Sequence, residues 1–310
     1  MISVVIPLYN KEKLIGRTLE SVLAQSYRDF EVVVVDDGSR DGSAAVVESF
    51  SDSRIRLIRQ ENAGVSAARN RGIEEARGEF IALLDGDDIW KPDYLSTVAN
   101  LIKRYPQCDV FATGYEFVDE FDRISPIIIR DLPFEGKDGL LDNYFHVAST
   151  SHPPLWTSIV TARKSALEAV GGFPVGVTSG EDLLTWARLA CRYQIAYSTR
   201  VEAQYFTPTT GITREESHDI QSAKDAVGLA LELLSNEFPD KGVDEYVSFW
   251  FKMKAVINLN YGFRLPAFRC AVKSLRFKPS NLKAWSLLVL SFAPNFFLNK
   301  FLKKIIFLIR

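Results

Sequence analysis

The sequence predicts an α/β fold: a mainly parallel sheet flanked by helices, with a helical module at the C-terminal end. Three observations predict it. Strand and helix signals alternate through the first ninety residues, as a doubly covered sheet requires. The strand runs are apolar at successive positions, the pattern of strands buried on both faces. Beyond Arg214 the signals are almost wholly helical.

Taken in order, "ISVVIP" is a short β-branched run and reads as the first strand. "KEKLIGRTLESVLAQ" places Leu14, Thr18, Leu19, Val22 and Leu23 at helical spacing. "EVVVVDD" is a second strand, "GSAAVVESF" a helix and "IRLIR" a third strand. "GVSAARNRGIEEA" is a helix rich in small residues, and "EFIALLD" a fourth strand. This βαβαβαβ order predicts right-handed crossovers between parallel strands. From about Pro92 the pattern is less regular. "DYLSTVANLIKRY" reads as a helix, "DVFATGYEFVD" as a strand and "ISPIIIRDL" as an extended piece. "WTSIVTA" is a strand, "KSALEAV" a helix ended by Gly171-Gly172, "EDLLTWARLACRY" a helix and "IAYSTRVEAQYF" a strand. The expected division is 1–215 and 216–310.

Each of the first four strands leads into a polar cluster. Pro7, Tyr9 and Asn10 come after the first; Asp36, Asp37, Gly38 and Ser39 after the second; Gln60, Glu61 and Asn62 after the third. After the fourth, Asp85, Asp87 and Asp88 stand together with only Gly86 among them. Open α/β sheets bind ligands outside the carboxyl ends of their strands, so these clusters are expected to converge on one crevice. Three crowded carboxylates repel one another and resist desolvation. A divalent cation such as Mg²⁺ or Mn²⁺ removes that penalty, typically sharing one or two carboxylates with phosphate and water oxygens. Asp87 is the expected ligand. Gly86 is expected to let the backbone approach a ligand in an unusual conformation. For Asp88 and Asp93 an acidic turn feeding the next helix is the competing reading.

Composition narrows the class. The chain has 310 residues, 47% of them hydrophobic, enough for one large domain or a domain plus an appendage. Cys108, Cys191 and Cys270 lie far apart, which fits a reducing compartment and neither a disulfide scaffold nor a metal cluster. "MISVVIPLYN" lacks the charged and apolar regions of a signal peptide, and no run of 18 apolar residues suggests a membrane span. Charge is unevenly spread. Of 37 basic and 39 acidic residues, twelve Lys and Arg and no acid lie after Glu245. The C-terminal "FLNKFLKKIIFLIR" can present Phe297, Phe301 and Ile305 on one helical face and Lys300, Lys303 and Lys304 on another. A basic amphipathic helix lies in the plane of an anionic membrane surface; the competing reading is a helical bundle with its basic face in water. The expected location is cytoplasmic, with peripheral attachment at the cytoplasmic face. Nucleic acid is a poor partner for the acidic body that carries all 39 acids.

Four segments, "VVIPLYN", "VVVVDDGSRDGS", "ENAGVSAARNRGI" and "GEFIALLDGDDIWKPDYL", together resemble the family 2 inverting glycosyltransferases of GT-A fold, in order and in spacing. The likeness continues through "SIVTARKSALEAVGGF" and "GEDLLTWARLA" and covers about residues 1 to 200. It implies a GT-A type, Rossmann-like sheet and transfer of a sugar from a nucleotide-sugar donor, UDP-linked, to a saccharide or lipid-linked acceptor in bacterial polysaccharide assembly. Pro7, Tyr9 and Glu12 would border the base. Asp37 would accept a hydrogen bond from the uracil imide, with Asp36 close by. Asp85 would touch the ribose, Asp87 would bind Mn²⁺ or Mg²⁺ at the diphosphate, and Asp182 matches the catalytic base. From spacing alone, Glu181 and Asp182 also suit the positive end of a helix, or its cap after Gly180, and Glu181 is the alternative base.

Around these lie secondary candidates. Asn62 is placed on the nucleotide side; Arg69 and Arg71 follow on the same segment, Arg69 within reach of a phosphate, with a solvated helix face as the competing reading. His152 and Trp156 are expected near a sugar, although a Trp beside a strand also suits a core. Thr207 to Arg214 is expected to close over the diphosphate; His218 is read as a surface histidine, with a further metal contact as the alternative. Two other classes compete. A nucleotidyltransferase or nicotinamide enzyme would want a glycine-rich loop where this chain has "PLYNKEK", and no G-x-S-x-G elbow suggests a hydrolase. A non-catalytic membrane-associated scaffold would be expected to lose Asp87 or Asp182, and both are present.

Overall fold

The computed structural model describes residues 1–206 and 225–293. The chain divides into two compact units, Met1–Tyr144 with Pro153–Thr209, and Phe145–His152 with Thr210–Arg310. The expected boundary at 215 falls outside the described residues. The second unit also takes in residues 145–152, which no composition change marked.

The first unit is built on one sheet. Its strands are β1 (Ile2–Leu8), β2 (Phe30–Asp36), β3 (Ile55–Arg59), β4 (Phe80–Leu83), β5 (Ile89–Trp90), β6 (Val110–Val118), β7 (Ile124–Pro126), β8 (Asp138–Leu140), β9 (Val160–Arg163) and β10 (Ile195–Phe206). The order is β3-β2-β1-β4-β9-β6-β10-β5, with β7 paired to β6 and β8 to β10. β1 to β4 are mutually parallel, as the apolar runs predict. β9 runs antiparallel to both β4 and β6, so its beginning lies at the rim where β1, β2 and β4 end. Of "ISPIIIRDL" only Ile124–Pro126 is strand, and the two-residue β5 and the short β8 carry too few residues to show a period.

Helices α1 (Ile15–Leu23), α2 (Ser43–Glu48), α3 (Val65–Glu75), α4 (Tyr94–Arg104), α6 (Lys164–Ala169) and α7 (Glu181–Arg192) belong to this unit; α5 (Tyr144–Thr150) begins at its edge. α1 buries Ile15, Thr18, Leu19 and Val22; of the expected face Thr18, Leu19 and Val22 are buried, and Leu14 and Leu23 are half-buried. α3 lies so close to the sheet that a Cβ on Gly72 would stand 2.3 Å from Val5 Cγ1, which is why small residues recur there.

The second unit is helical where described. It holds α8 (Ala226–Glu237), α9 (Val243–Asn260), α10 (Arg264–Phe277) and α11 (Leu282–Leu290). Ala255, Val256 and Leu259 of α9 pack with Ala267 and Ala271 of α10 and Leu287 of α11. Asp225 and Asn281 cap α8 and α11 by accepting from Gly228 N and Ala284 N. Within this unit His146 Nδ1 meets Glu245 Oε2 at 3.0 Å, and Phe145 lies 5.8 Å from Tyr246 between ring centroids. No helix among the described residues is long and apolar enough to cross a membrane. The amphipathic segment from Phe297, the expected lid Thr207–Arg214 and His218 lie outside the described residues.

Candidate active site

Parallel pairing sets the rim. The register Leu8↔Asp36↔Arg59 ends β1, β2 and β3 at one level, and β4 ends three residues earlier, opposite Val5. Backbone bonds then extend the pairing by one step: Asp37 N donates to Leu8 O, Gln60 N to Asp36 O and Leu84 N to Val5 O. The residues just beyond these strand ends therefore emerge together. They line a cavity of about 570 Å³ whose walls include Pro7, Tyr9, Lys11, Asp37, Asn62, Arg69, Asp85, Asp87, Trp156, Glu181, Asp182 and Tyr205. This volume suits a drug-sized or nucleotide-sized ligand.

On the β1–β3 side, Asp37 is buried and accepts from Gln60 Nε2, Ala63 N and Gly64 N at 2.7 to 2.9 Å. These bonds fix the 60–64 segment beside the cavity. Asn62 donates to the Asp37 carbonyl at 2.9 Å. Asp36 and Glu12 are not among the lining residues. Asp36 accepts from Ser39 N, and Glu12 from Gly42 N. Both carboxylates are engaged with the neighbouring loop.

The acid cluster separates into three environments. Asp85 accepts from Arg69 Nη2 at 2.8 Å. Asp87 Oδ2 holds the Lys11 ammonium. Asp88 is fully buried, accepts from Ser158 Oγ at 2.5 Å and from Phe206 N at 3.3 Å, and faces away from the cavity. Burial, then the charge of Asp85, pushes its carboxyl well above the ordinary range. Asp88 is thus a strut. It ties the acidic turn to the start of β9 through Ser158, whose Oγ also accepts from Asp85 N. Asp93 accepts from Ser26 Oγ and makes no side-chain cap on α4. Gly86 has no left-handed backbone; a Cβ there would stand 3.2 Å from the Pro7 carbonyl, so close packing on β1 is its reason.

Opposite lies the start of α7, entered through Gly180 in left-handed conformation. Asp182 borders the cavity and accepts from Leu183 N at 2.7 Å. Its carboxyl is pushed up to about 6, by burial first and by Glu181 second, against the pull of Arg69. Arg69 is 4% exposed and bridges Asp85 to Glu181, its Nη1 lying 3.1 Å from Glu181 Oε1. Burial lowers the guanidinium's pKa, but Asp85, Asp182 and Glu181 outweigh it and the net direction is up. Trp156 and Tyr205 close the remaining wall with ring centroids 4.8 Å apart, and Tyr115 lies behind Trp156 at 5.9 Å. His152 is not among the lining residues, and Arg71 pairs with Glu74 and Glu75 along its own helix.

Sequence reasoning missed Lys11, Ser158, Tyr205 and the bridging role of Arg69. Lys11 had a visible signal, a cation directly behind the first strand. Ser158 and Tyr205 depend on β9 running antiparallel and on β10 ending beside Asp88; the Arg69 bridge depends on Asp85 and Glu181 coming from two other segments.

Residues 3–164, just over half the chain, match the family model described as Glycosyl transferase family 2. The chain belongs to that family. Members similar to it include glycosyltransferase GlyG of Streptococcus pneumoniae serotype 4, 39% identical over 39% of this chain and 41% of that protein. Another is the Escherichia coli UDP-Glc:alpha-D-GlcNAc-diphosphoundecaprenol beta-1,3-glucosyltransferase WfgD, 46% identical over 29% of this chain and 36% of that one. The matched stretch thus spans under half the length of these relatives. Staphylococcus aureus TarS 1-349, solved in complex with UDP-GlcNAc, is 20% identical with a TM-score of 0.60, covering 93% of this chain and 89% of that one. That likeness bears out the GT-A type fold.

Proposed function

We propose that the chain is an inverting glycosyltransferase that moves a sugar from a UDP-sugar to a hydroxyl of a saccharide or lipid-linked acceptor. One observation carries this reading: Asp37 and Asn62, the acids Asp85 and Asp87, and Asp182 border a single cavity. WfgD's diphosphoundecaprenol acceptor and the UDP-GlcNAc bound to TarS support the substrate classes. Asp37 and Asn62 hold the nucleoside, and Asp85 the ribose. Asp182 accepts the proton of the acceptor hydroxyl as that oxygen attacks the anomeric carbon, which is general base catalysis. A carboxyl pushed up to about 6 is ionised at neutral pH yet basic enough for the task. Departure on the face opposite to attack inverts the anomeric configuration, the logic of inverting glycosidases with an acceptor hydroxyl in place of water.

The reading includes a divalent cation, Mn²⁺ or Mg²⁺, at Asp87. The donor set fits: carboxylate oxygens suit a hard ion, and Asp87 already holds a cation, the Lys11 ammonium. Among the described residues no three acid, histidine or cysteine side chains gather to hold an ion unaided, so diphosphate and water oxygens would complete its shell. Such an ion supplies positive charge for the departing diphosphate. The acceptor's lipid would be met by peripheral attachment through the basic C-terminal region.

The test is the melting temperature with UDP, GDP, CMP and NAD, each with and without Mn²⁺, for the parent and Asp87→Ala. A UDP shift that needs Mn²⁺ and disappears in the variant is expected. A shift with GDP alone would overturn the uracil assignment to Asp37, and no shift with any nucleotide would overturn the transferase reading.

A further inference from the structure

We propose that the outward faces of α10 and α11 form a docking surface for an anionic lipid bilayer. This rests on the peripheral-attachment reading above and assigns it to a described surface.

α11 buries Ala284 and Leu287 against the other helices, yet its opposite face is apolar as well. Leu282, Trp285, Val289 and Phe292 recur at helical spacing along it and its last turn and are 79, 49, 67 and 71% exposed. This exposed stripe is contiguous and apolar, and a patch of this kind marks an interaction site. α10 enlarges the patch. Phe268 meets Phe292 edge-on at 5.2 Å between centroids, and Leu265 and Val272 are exposed on the same stripe.

Charge selects the occupant. Arg269 and Arg276 are exposed on that stripe, and neither helix carries an acid. Burial, then Lys283 and Lys278, brings the Lys252 ammonium of the same unit down to about 8. Apolar residues, one Trp and cations on one face are the signature of a surface lying at an anionic membrane interface. A second copy would bring the same arginines against one another. In the helical unit the other exposed apolar pair among the described residues, Leu229 and Leu233, lies on α8, whose charged residues are the acids Glu232 and Glu237, Glu232 being paired with Lys273.

The full chain is floated with vesicles of phosphatidylcholine, with and without phosphatidylglycerol. Three paired variants accompany it: Trp285→Ser with Val289→Ser, Arg269→Glu with Arg276→Glu, and the control Leu229→Ser with Leu233→Ser. Thermal melting checks that each is folded. The parent and the control are expected to bind the anionic vesicles, and both face variants to bind about tenfold more weakly or worse. Face variants that bind like the parent overturn the proposal and leave peripheral attachment standing elsewhere on the chain. A parent that binds neither vesicle overturns both readings. A dimer, seen by light scattering, that the face variants dissociate gives the face to a second copy and also overturns the proposal.

Discussion

On the β1–β3 side of the rim, Asp37 is held by two backbone N–H groups and one amide side chain; across the cavity, Glu181 and Asp182 face a single buried arginine. The first arrangement is rigid, and its donors carry no charge. The second is a balance of opposed charges around one cation, and it brings Asp182 up to about 6. One rim thus carries two kinds of carboxylate, one held by neutral donors and one set among charges; on the proposed reading the first holds the nucleoside and the second takes a proton. The difference lies in what each is bonded to, since both are aspartates at the end of a parallel β-strand or the start of a helix.

The comparison breaks first at Asp182→Asn. The expected loss in transfer rate is on the order of 10²- to 10⁴-fold, with the UDP dissociation constant by calorimetry unchanged. A loss of UDP binding instead would move Asp182 to the binding side. In the parent, the rate should rise with pH through about 6 as Asp182 loses its proton. Arg69→Gln comes next. It leaves Asp85 and Glu181 facing each other without their cation, a cost of about 3–5 kcal/mol for a broken buried pair. It also removes the pull that lowers the Asp182 pKa, so the acid limb of the pH–rate profile should move to higher pH. A limb that stays in place would mean another group sets it.

A third test sharpens the same contrast through stability. Asp182 holds its proton up to about 6 when folded but only to about 3.8 when unfolded. The native state therefore binds more protons between those values, and stability falls as pH rises through that window. Asp182→Asn should melt higher than the parent at pH 7.5, by at most about 3 kcal/mol, with the difference gone below pH 3.8. The smallest effect belongs to Glu12→Gln. Its carboxylate serves Gly42 N, so about 1 kcal/mol of stability and no change in UDP affinity are expected. A weakened UDP complex would bring Glu12 back to the base.

The convergence of Pro7, Tyr9, Asp37 and Asn62 on one cavity was legible because each part is local: a strand, then a polar cluster just beyond its end. The acid cluster was legible as a site but not in its parts. That Asp88 is a strut depends on Ser158, seventy residues away, which reaches it only because β9 runs against its neighbours. Arg69 looked like an ordinary helical cation because its partners Asp85 and Glu181 come from two other segments. Short β5 and β8 and helix α5 left no periodic signal.

The chain passes from one unit to the other three times, at 144–145, 152–153 and 209–210. The helical unit is therefore not a terminal cassette. Cutting at residue 215 would leave α5 in the shortened protein without Tyr246 and Glu245, the partners of Phe145 and His146. Recombination between relatives faces the same constraint: exchanging the C-terminal helices means exchanging eight residues in the middle of the gene as well.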